Sequence, residues 1–383
     1  MTSHPTQSKT AHTSNRPTNS YPMWSPRFWH GMRTHVWWKL VSGNRFRIAP
    51  LRIPLAVGVT LFTPFNDLMA GLQWCVYGRR IRDAKVAQAP VFILGHWRSG
   101  TTLLHELLVT DTQFASPSTY QCFAPSHFLL SEWLMVTFGG FLLPKKRPMD
   151  NMEAGWQLPQ EDEFALMNLG VPSPYLRIAF PNTQPQELEY LSLRNVPAEE
   201  LSRWRKALQW FMRALTVRYP GKRLVMKSPP HTGRIAELAK LYPDAKFIHL
   251  TRNPRKLFLS TMRLWQSLDE VQSFQKLPSD AERKEYVSVC LQRMYESFDA
   301  GRKEVAPNRI VDVSYEELVA DPHGTVKMLY EKLDLGDFST VEPSLNARLE
   351  NHASYRPNKH SIDPQLEQEI LSVWGDYAAK YGY

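Results

Sequence analysis

Apolar and polar positions repeat along this chain in one grammar: a short apolar run, a turn, then a longer segment with apolar residues at helical spacing. Val91-Phe-Ile-Leu-Gly95 has the length and character of a buried strand, and Leu103, Leu104, Leu107 and Leu108 follow at helical spacing. Apolar runs at 223–228, 246–251 and 309–313 are likewise followed by helical patterns. Residues 198–219 place Leu201, Trp204, Leu208, Phe211 and Leu215 at helical spacing, with Glu199-Glu200 near the start and Pro220-Gly221 past the end. Strands alternating with helices predict an α/β fold with a doubly wound parallel sheet.

The first ninety residues follow a different pattern. Residues 1–20 are rich in Ser, Thr, His, Pro and Asn with no apolar run, which predicts a disordered tail. From Trp24 to Leu40, Trp24, Phe28, Trp29, Trp37 and Trp38 are interleaved with Arg27, Arg33 and Lys39, a mixture that suits the cover of a core or a membrane interface, with the cover favoured. Residues 51–77 are strongly apolar, but Pro54, Pro64, Asn66 and Asp67 interrupt them. That predicts a helical pair packed on the domain, or a helix lying on a bilayer, rather than a span. A polar linker leads to Pro90, so the chain divides into a tail (1–20), a helical aromatic and basic extension (21–88) and an α/β domain (89–383). Within the domain, Cys122 to Pro144 is rich in Phe, Leu and Trp and predicts a core helix, with a greasy acceptor channel or membrane-facing lid as the functional alternative.

Composition narrows the partners. The 383 residues are 43% hydrophobic, enough for a large core, and carry a formal charge of +9 with a pI near 9.3. Anionic partners are favoured: a nucleotide, a nucleic acid, a sulfated or phosphorylated substrate, or a membrane surface. Lys/Arg-dense runs with interleaved aromatics are missing from the main domain, which weighs against nucleic acid. Cys75, Cys122 and Cys290 lie far apart without a C-x-x-C pattern, which argues against a disulfide framework and a zinc site and for a reducing compartment. With no signal-peptide pattern at the start, the expected location is the cytoplasm, with a peripheral position at a membrane as the variant.

The candidate chemistry sits at the ends of the strand-like runs. Gly95 and Gly100 let the backbone curl round a phosphate, the helix that follows aims its first amides at it, and Thr101 and Thr102 add hydroxyls. The spacing G-x-x-x-x-G-T-T differs from a Walker A loop in one respect: Thr101 stands where the phosphate-binding Lys would be. A second run ends on Lys227-Ser228, and two prolines then present His231, at the strand end where ligands bind in open α/β sheets. A third ends on Arg252, with Ser260 eight residues on; Arg offers a planar fork for a phosphate. No acidic metal-binding residue ends that strand, as a kinase would need. Two anion sites without metal ligands point to a nucleotide phosphorylated at both ends. Glu161, Asp162 and Glu163 follow Pro159-Gln160 as ordinary partners of a helix N-terminus or as candidates for a general base; successive residues diverge by about 100° round a helix, so one or two could face a cleft.

Gly95-His-Trp-Arg-Ser-Gly-Thr-Thr-Leu-Leu104, Lys227-Ser-Pro-Pro-His231 and Arg252-Asn-Pro-Arg with Ser260 together resemble the sulfotransferase family that uses 3′-phosphoadenosine-5′-phosphosulfate (PAPS), from about Pro90 to the C-terminus. The resemblance implies a P-loop-like, three-layer α/β/α fold with a central parallel sheet. It implies that Arg98, Ser99, Gly100, Thr101 and Thr102 hold the 5′-phosphosulfate and that Arg252 and Ser260 hold the 3′-phosphate, with Arg356, Lys359 and His360 as candidate ligands from a basic loop. The reaction implied is sulfuryl transfer to a hydroxyl or amine without a metal, with Arg98 and Lys227 meeting the charge on the leaving bisphosphate. Some family members carry a Glu shortly after the first helix as base; here that stretch reads Ser118-Thr-Tyr-Gln-Cys122, leaving Glu163, Asp162 and His231 as candidates. The acceptor expected from the apolar stretches is a lipid or other amphiphile, then a carbohydrate or small phenol. The alternatives are a P-loop nucleotide kinase or GTP-binding switch and a non-catalytic membrane-surface protein.

Overall fold

The computed structural model describes residues 21, 24–144, 153–183, 187–352 and 364–383. Its five strands are β1 (Val91–Leu94), β2 (Phe114–Ala115), β3 (Arg223–Lys227), β4 (Lys246–Thr251) and β5 (Ile310–Ser314). They form one sheet in the order β2-β3-β1-β4-β5, and every adjacent pair is parallel. The helices are α1 (Thr34–Gly43), α2 (Ile53–Asp83), α3 (Thr101–Leu108), α4 (Thr119–Phe123), α5 (Phe128–Phe138), α6 (Glu163–Asn168), α7 (Ala198–Arg218), α8 (Ile235–Leu241), α9 (Pro254–Gln272), α10 (Asp280–Gly301), α11 (Tyr315–Ala320), α12 (Pro322–Leu333), α13 (Glu342–His352) and α14 (Pro364–Tyr381). The α/β/α architecture is the expected one; β2, only two residues long, lies below what apolar patterning can signal.

Period-two alternation puts each strand's residues on two faces, and each face builds its own core. Val91, Ile93, Val225, Ile248, Leu250 and Val313 pack with Leu104, Leu107, Val326 and Leu329 on one side. Phe92, Leu94, Leu224, Met226 and Phe247 face the other, against Trp204, Leu208, Trp265, Met294 and Phe298. Residues from the N-terminal extension enter this second core: Trp29 and Trp37 are buried in it, and the Trp29 Nε1–H donates to Gln272 O at 2.7 Å. Trp24 and Trp38 stay exposed.

Two expectations change. Residues 53–83 form one continuous helix, not a pair, although Pro64 lies inside it. Pro64 has no N–H for the carbonyl of Thr60; the Thr63 hydroxyl donates to that oxygen at 3.0 Å and fills the gap. The 122–144 stretch is not a core helix either: it breaks at Pro125, and α5 buries Phe128 but exposes Trp133, Leu134 and Phe138.

A buried ion pair fixes the segment at 174–178 onto α9. Arg177 Nη1 donates to Asp269 Oδ1 at 2.9 Å, both side chains are almost inaccessible, and the guanidinium lies over the Tyr286 ring at 4.4 Å. Replacing Arg177 by Met leaves a buried carboxylate with only Arg283 Nε at 3.5 Å. The expected loss is about 3 kcal/mol, read as a lower urea midpoint; an unchanged midpoint would contradict this clamp.

Candidate active site

β1 ends in the middle of the sheet, and the chain there turns through Gly95 (φ 143°), Arg98 (φ 70°) and Gly100 (φ 100°) into α3. Two of these positions demand glycine. A Cβ on Gly95 would lie 2.5 Å from Ser99 Oγ and 2.7 Å from Leu250 O; on Gly100 it would lie 2.4 Å from the Tyr315 ring. The loop is held from inside, with Ser99 Oγ donating to His96 O at 2.8 Å and Gly95 N donating to Thr232 Oγ1 at 2.7 Å. Gly100 is the N-cap of α3 and brings no side chain to it, so the first-turn amides and the positive dipole end are left for an anion.

The neighbouring strand ends converge on this loop. Arg252 follows β4, its Nη1 donates to Arg98 O at 2.6 Å, and its guanidinium stacks over Tyr315 at 4.1 Å. The backbone N–H of Arg252 is tied to Tyr377 Oη of α14 at 3.0 Å. Asn253 caps α9, accepting from the amides of Arg255 and Lys256, and that helix start brings Ser260 to the loop, where Arg98 Nε donates to Ser260 Oγ at 2.9 Å. The structure thus brings Arg98, Ser99, Gly100, Thr101, Thr102, Arg252 and Ser260 together. Arg356, Lys359 and His360 lie outside the described residues.

Lys227, the last residue of β3, lies 2.8 Å from a Glu161 oxygen and 3.5 Å from Thr102 Oγ1. Only 3% of the Lys227 side chain and 17% of Glu161 are exposed, so the pair is largely withdrawn from water and Glu161 is the more accessible of the two. Glu161 also accepts from Tyr175 Oη, which in turn accepts from Trp97 Nε1 at 2.8 Å. The backbone before Glu161 is pinned to the chain after β2: Gln160 N donates to Pro117 O and Thr119 N to Leu158 O, both at 2.9 Å.

The other carboxylates point inward. Asp162 is fully buried, 2.6 Å from His231 Nε2 and 2.9 Å from Ser228 Oγ. Burial raises its pKa, but the His231 contact and the hydrogen bonds from His231 and Ser228 outweigh it and hold the carboxyl below its ordinary value. Glu163 is locked by Arg234 at 2.5 and 2.9 Å and by Ser173 Oγ at 2.5 Å. Glu163 and His231, both expected at the chemistry, are therefore about 1% or less exposed and support the site from below. Glu161 precedes the helix, which begins at Glu163 with Asp162 as its N-cap, so helical angles do not govern where Glu161 points. Sequence reasoning named Glu161 but did not favour it, and it missed Trp97, Tyr175 and Tyr315, whose aromatic character alone reads as core. Among the described residues no cluster of His, Cys, Asp and Glu could hold a metal ion.

The sulfotransferase family model matches residues 90–339. The omega-hydroxy-beta-dihydromenaquinone-9 sulfotransferase Stf3 proteins of Mycobacterium bovis and Mycobacterium tuberculosis are each 39% identical over 360 residues, covering 94% of this chain and 92% of the relative. The chain belongs to the sulfotransferase family. It is a transferase of sulfuryl groups, and the kinase and non-catalytic readings fall away. Two solved sulfotransferases share the fold: STF9 of Mycobacterium avium (TM-score 0.67, 19% identity, covering 87% of this chain and 86% of that one) and STF1 of Mycobacterium tuberculosis (TM-score 0.61, 20% identity, 88% and 90%).

The sulfotransferase keeps several buried histidines neutral. Burial lowers the pKa of His96 in the loop to about 4, and burial followed by the Lys227 charge lowers that of His105 in α3 to about 3. His127 also falls to about 4 through burial. An unfolded chain protonates these rings near 6.5, whereas the folded chain resists until the lower values, so between them the unfolded state binds more protons. Stability is therefore complete above about 6.5 and falls progressively as pH drops towards 4. A urea midpoint unchanged from pH about 7 to about 5 would contradict the burial of these rings.

Proposed function

We propose that this sulfotransferase takes the sulfuryl group from PAPS and passes it to the hydroxyl of a membrane lipid of the isoprenoid type. The observation that carries the donor assignment is the convergence of two anion sites: the Arg98–Thr102 loop with the α3 amides for the 5′-phosphosulfate, and Arg252 with Ser260 for the 3′-phosphate. The Arg98–Ser260 and Arg252–Arg98 hydrogen bonds link the two, as one nucleotide reaching both would require.

In the reaction read from this geometry, the acceptor oxygen attacks sulfur while the bond from sulfur to the bridging phosphate oxygen breaks. Charge grows on the departing bisphosphate, and we assign the task of meeting it to Arg98 and to Lys227, which lies beside Thr102 at the head of α3. Glu161 is the most exposed carboxylate of the acidic run and is our choice for the base that takes the acceptor proton. Asp162, His231, Glu163 and Arg234 hold the strand-end segment that carries Lys227. The acceptor class is supported by the 39% identity to a sulfotransferase named for an omega-hydroxy menaquinone and by the apolar residues exposed on α2 and α5. A lipid acceptor calls for peripheral membrane contact, and the free thiols of Cys75, Cys122 and Cys290 fit the reducing conditions of the cytoplasm.

Two measurements test this. Calorimetric titration with 3′-phosphoadenosine-5′-phosphate without magnesium should show tight binding that Arg252→Ala weakens by at least about tenfold, since a charge-assisted contact is lost, with ATP much poorer. No binding by folded protein, or a preference for ATP with magnesium, would overturn the donor assignment. Glu161→Gln should leave that binding essentially intact while kcat for sulfation of an omega-hydroxylated menaquinone from labelled PAPS falls by about 10² to 10⁴. A Glu161→Gln enzyme with unchanged kcat would remove Glu161 as the base.

A further inference from the structure

Helix α2 is amphipathic in the wrong sense for water. Its inner face carries polar groups that bond to the body: Thr60 Oγ1 accepts from Trp37 Nε1 at 2.8 Å, and Asn66 Nδ2 donates to His30 O and Met32 O at 2.6 and 2.8 Å. Asp67 pairs with Arg33 at 2.7 Å, and Gln73 bonds to Ser126 O and Leu129 N at 2.9 and 2.8 Å. Its outer face carries Val57, Leu61, Phe65, Leu68, Leu72 and Val76, at spacings of three and four residues, all between 43% and 75% exposed. The most apolar stretch of 18 residues in this helix is only 22% buried.

Charge brackets that face. Between Arg52 and Arg79 the single ionisable group with a full charge is Asp67, which is turned inward onto Arg33. Beyond the apolar face come Arg79, Arg80, Arg82 and Lys85, all exposed, with Asp83 the one acidic residue among them. Before it come the exposed Lys39, Arg45 and Arg47. Neighbouring α5 adds the exposed Trp133, Leu134 and Phe138, and Phe141 follows it. Long apolar side chains with basic residues at both ends of a helix about 46 Å long match an anionic bilayer surface, where the cations meet headgroups and the aliphatic residues reach the acyl boundary. A second copy of the chain would oppose these cations with cations or leave them unmatched. The inward hydrogen bonds running from Trp37 to Leu129 hold α2 lengthwise against the fold, so it lies on the membrane and does not cross it.

We propose that the outer face of α2, flanked by Arg79, Arg80, Arg82 and Lys85, is a monotopic docking surface for an anionic lipid bilayer. This deepens the lipid-acceptor reading, on which its purpose rests. The test needs neither donor nor acceptor: cosedimentation of the full chain with vesicles of phosphatidylcholine alone or mixed with phosphatidylglycerol. Binding should favour the mixed vesicles and weaken with salt. Leu61→Ser with Leu68→Ser should reduce it at least about tenfold, and Arg79→Gln with Arg80→Gln by about fivefold for each charge removed. These side chains are exposed, and an unchanged thermal midpoint and unchanged affinity for 3′-phosphoadenosine-5′-phosphate would show that the variants fold. Wild-type protein that ignores both vesicle types, or a Leu61→Ser/Leu68→Ser variant that binds as well as wild type, would overturn the proposal. So would a dimer in sedimentation velocity that the same pair of substitutions dissolves without any vesicle binding. Any of these outcomes could occur with nucleotide binding intact, so failure here is distinct from failure of the donor assignment.

Discussion

The site depends on three consecutive carboxylates, each meeting a basic side chain from the one segment that begins at the end of β3. Glu161 faces Lys227, Asp162 faces His231, and Glu163 faces Arg234. The 161–163 run and the 227–234 segment are thus joined side chain by side chain across the end of β3. Buried charge without a partner costs several kcal/mol, so the sealed Glu163–Arg234 pair cannot lose one member without disturbing the other. The set also grades exposure: Asp162 and Glu163 are sealed, while Glu161 keeps 17% of its surface. The same device that fixes the segment therefore leaves Glu161, paired with a nearly buried ammonium, as the most accessible carboxylate of the three.

The 95–100 loop rests on that base. Thr232, within the joined segment, accepts the Gly95 amide, so the position of the β1 turn follows from the pairing beneath it. From the other side, Tyr315 closes over Gly100 and under Arg252, and Tyr377 ties the Arg252 backbone to the C-terminal helix. Contacts on both sides fix the shape of the loop, so little of it is left free to reorder.

Much of this was legible in the chain because backbone requirements leave marks in sequence. Gly95 and Gly100 mark positive φ, and the apolar runs mark four of the five strands. The nearness of Ser260 to the loop that Arg252 also touches is legible because an eight-residue offset spans about two helical turns from a strand end. The choice among Glu161, Asp162 and Glu163 was not legible: it depends on where α6 begins and on which cation each acid finds, and those cations lie about seventy residues further on. The continuity of α2 through Pro64 was hidden for a similar reason, since a local breaker is overruled by a hydroxyl one residue away and by tertiary bonds along the inner face.

The inverted polarity of α2 shows why hydropathy alone misjudges such a helix. A count of apolar residues registers a candidate for crossing a membrane, and a search for polar interruptions registers a break at Asn66 and Asp67. Both readings assume that polar groups on a helix seek water. Here they seek the protein: each polar side chain on the inner face satisfies a partner that would otherwise be stranded under the extension, such as the carbonyls of His30, Met32 and Ser126. Once those partners claim the polar side, the helix can present only its apolar side outward, and the exposed leucines follow from the bonding beneath them.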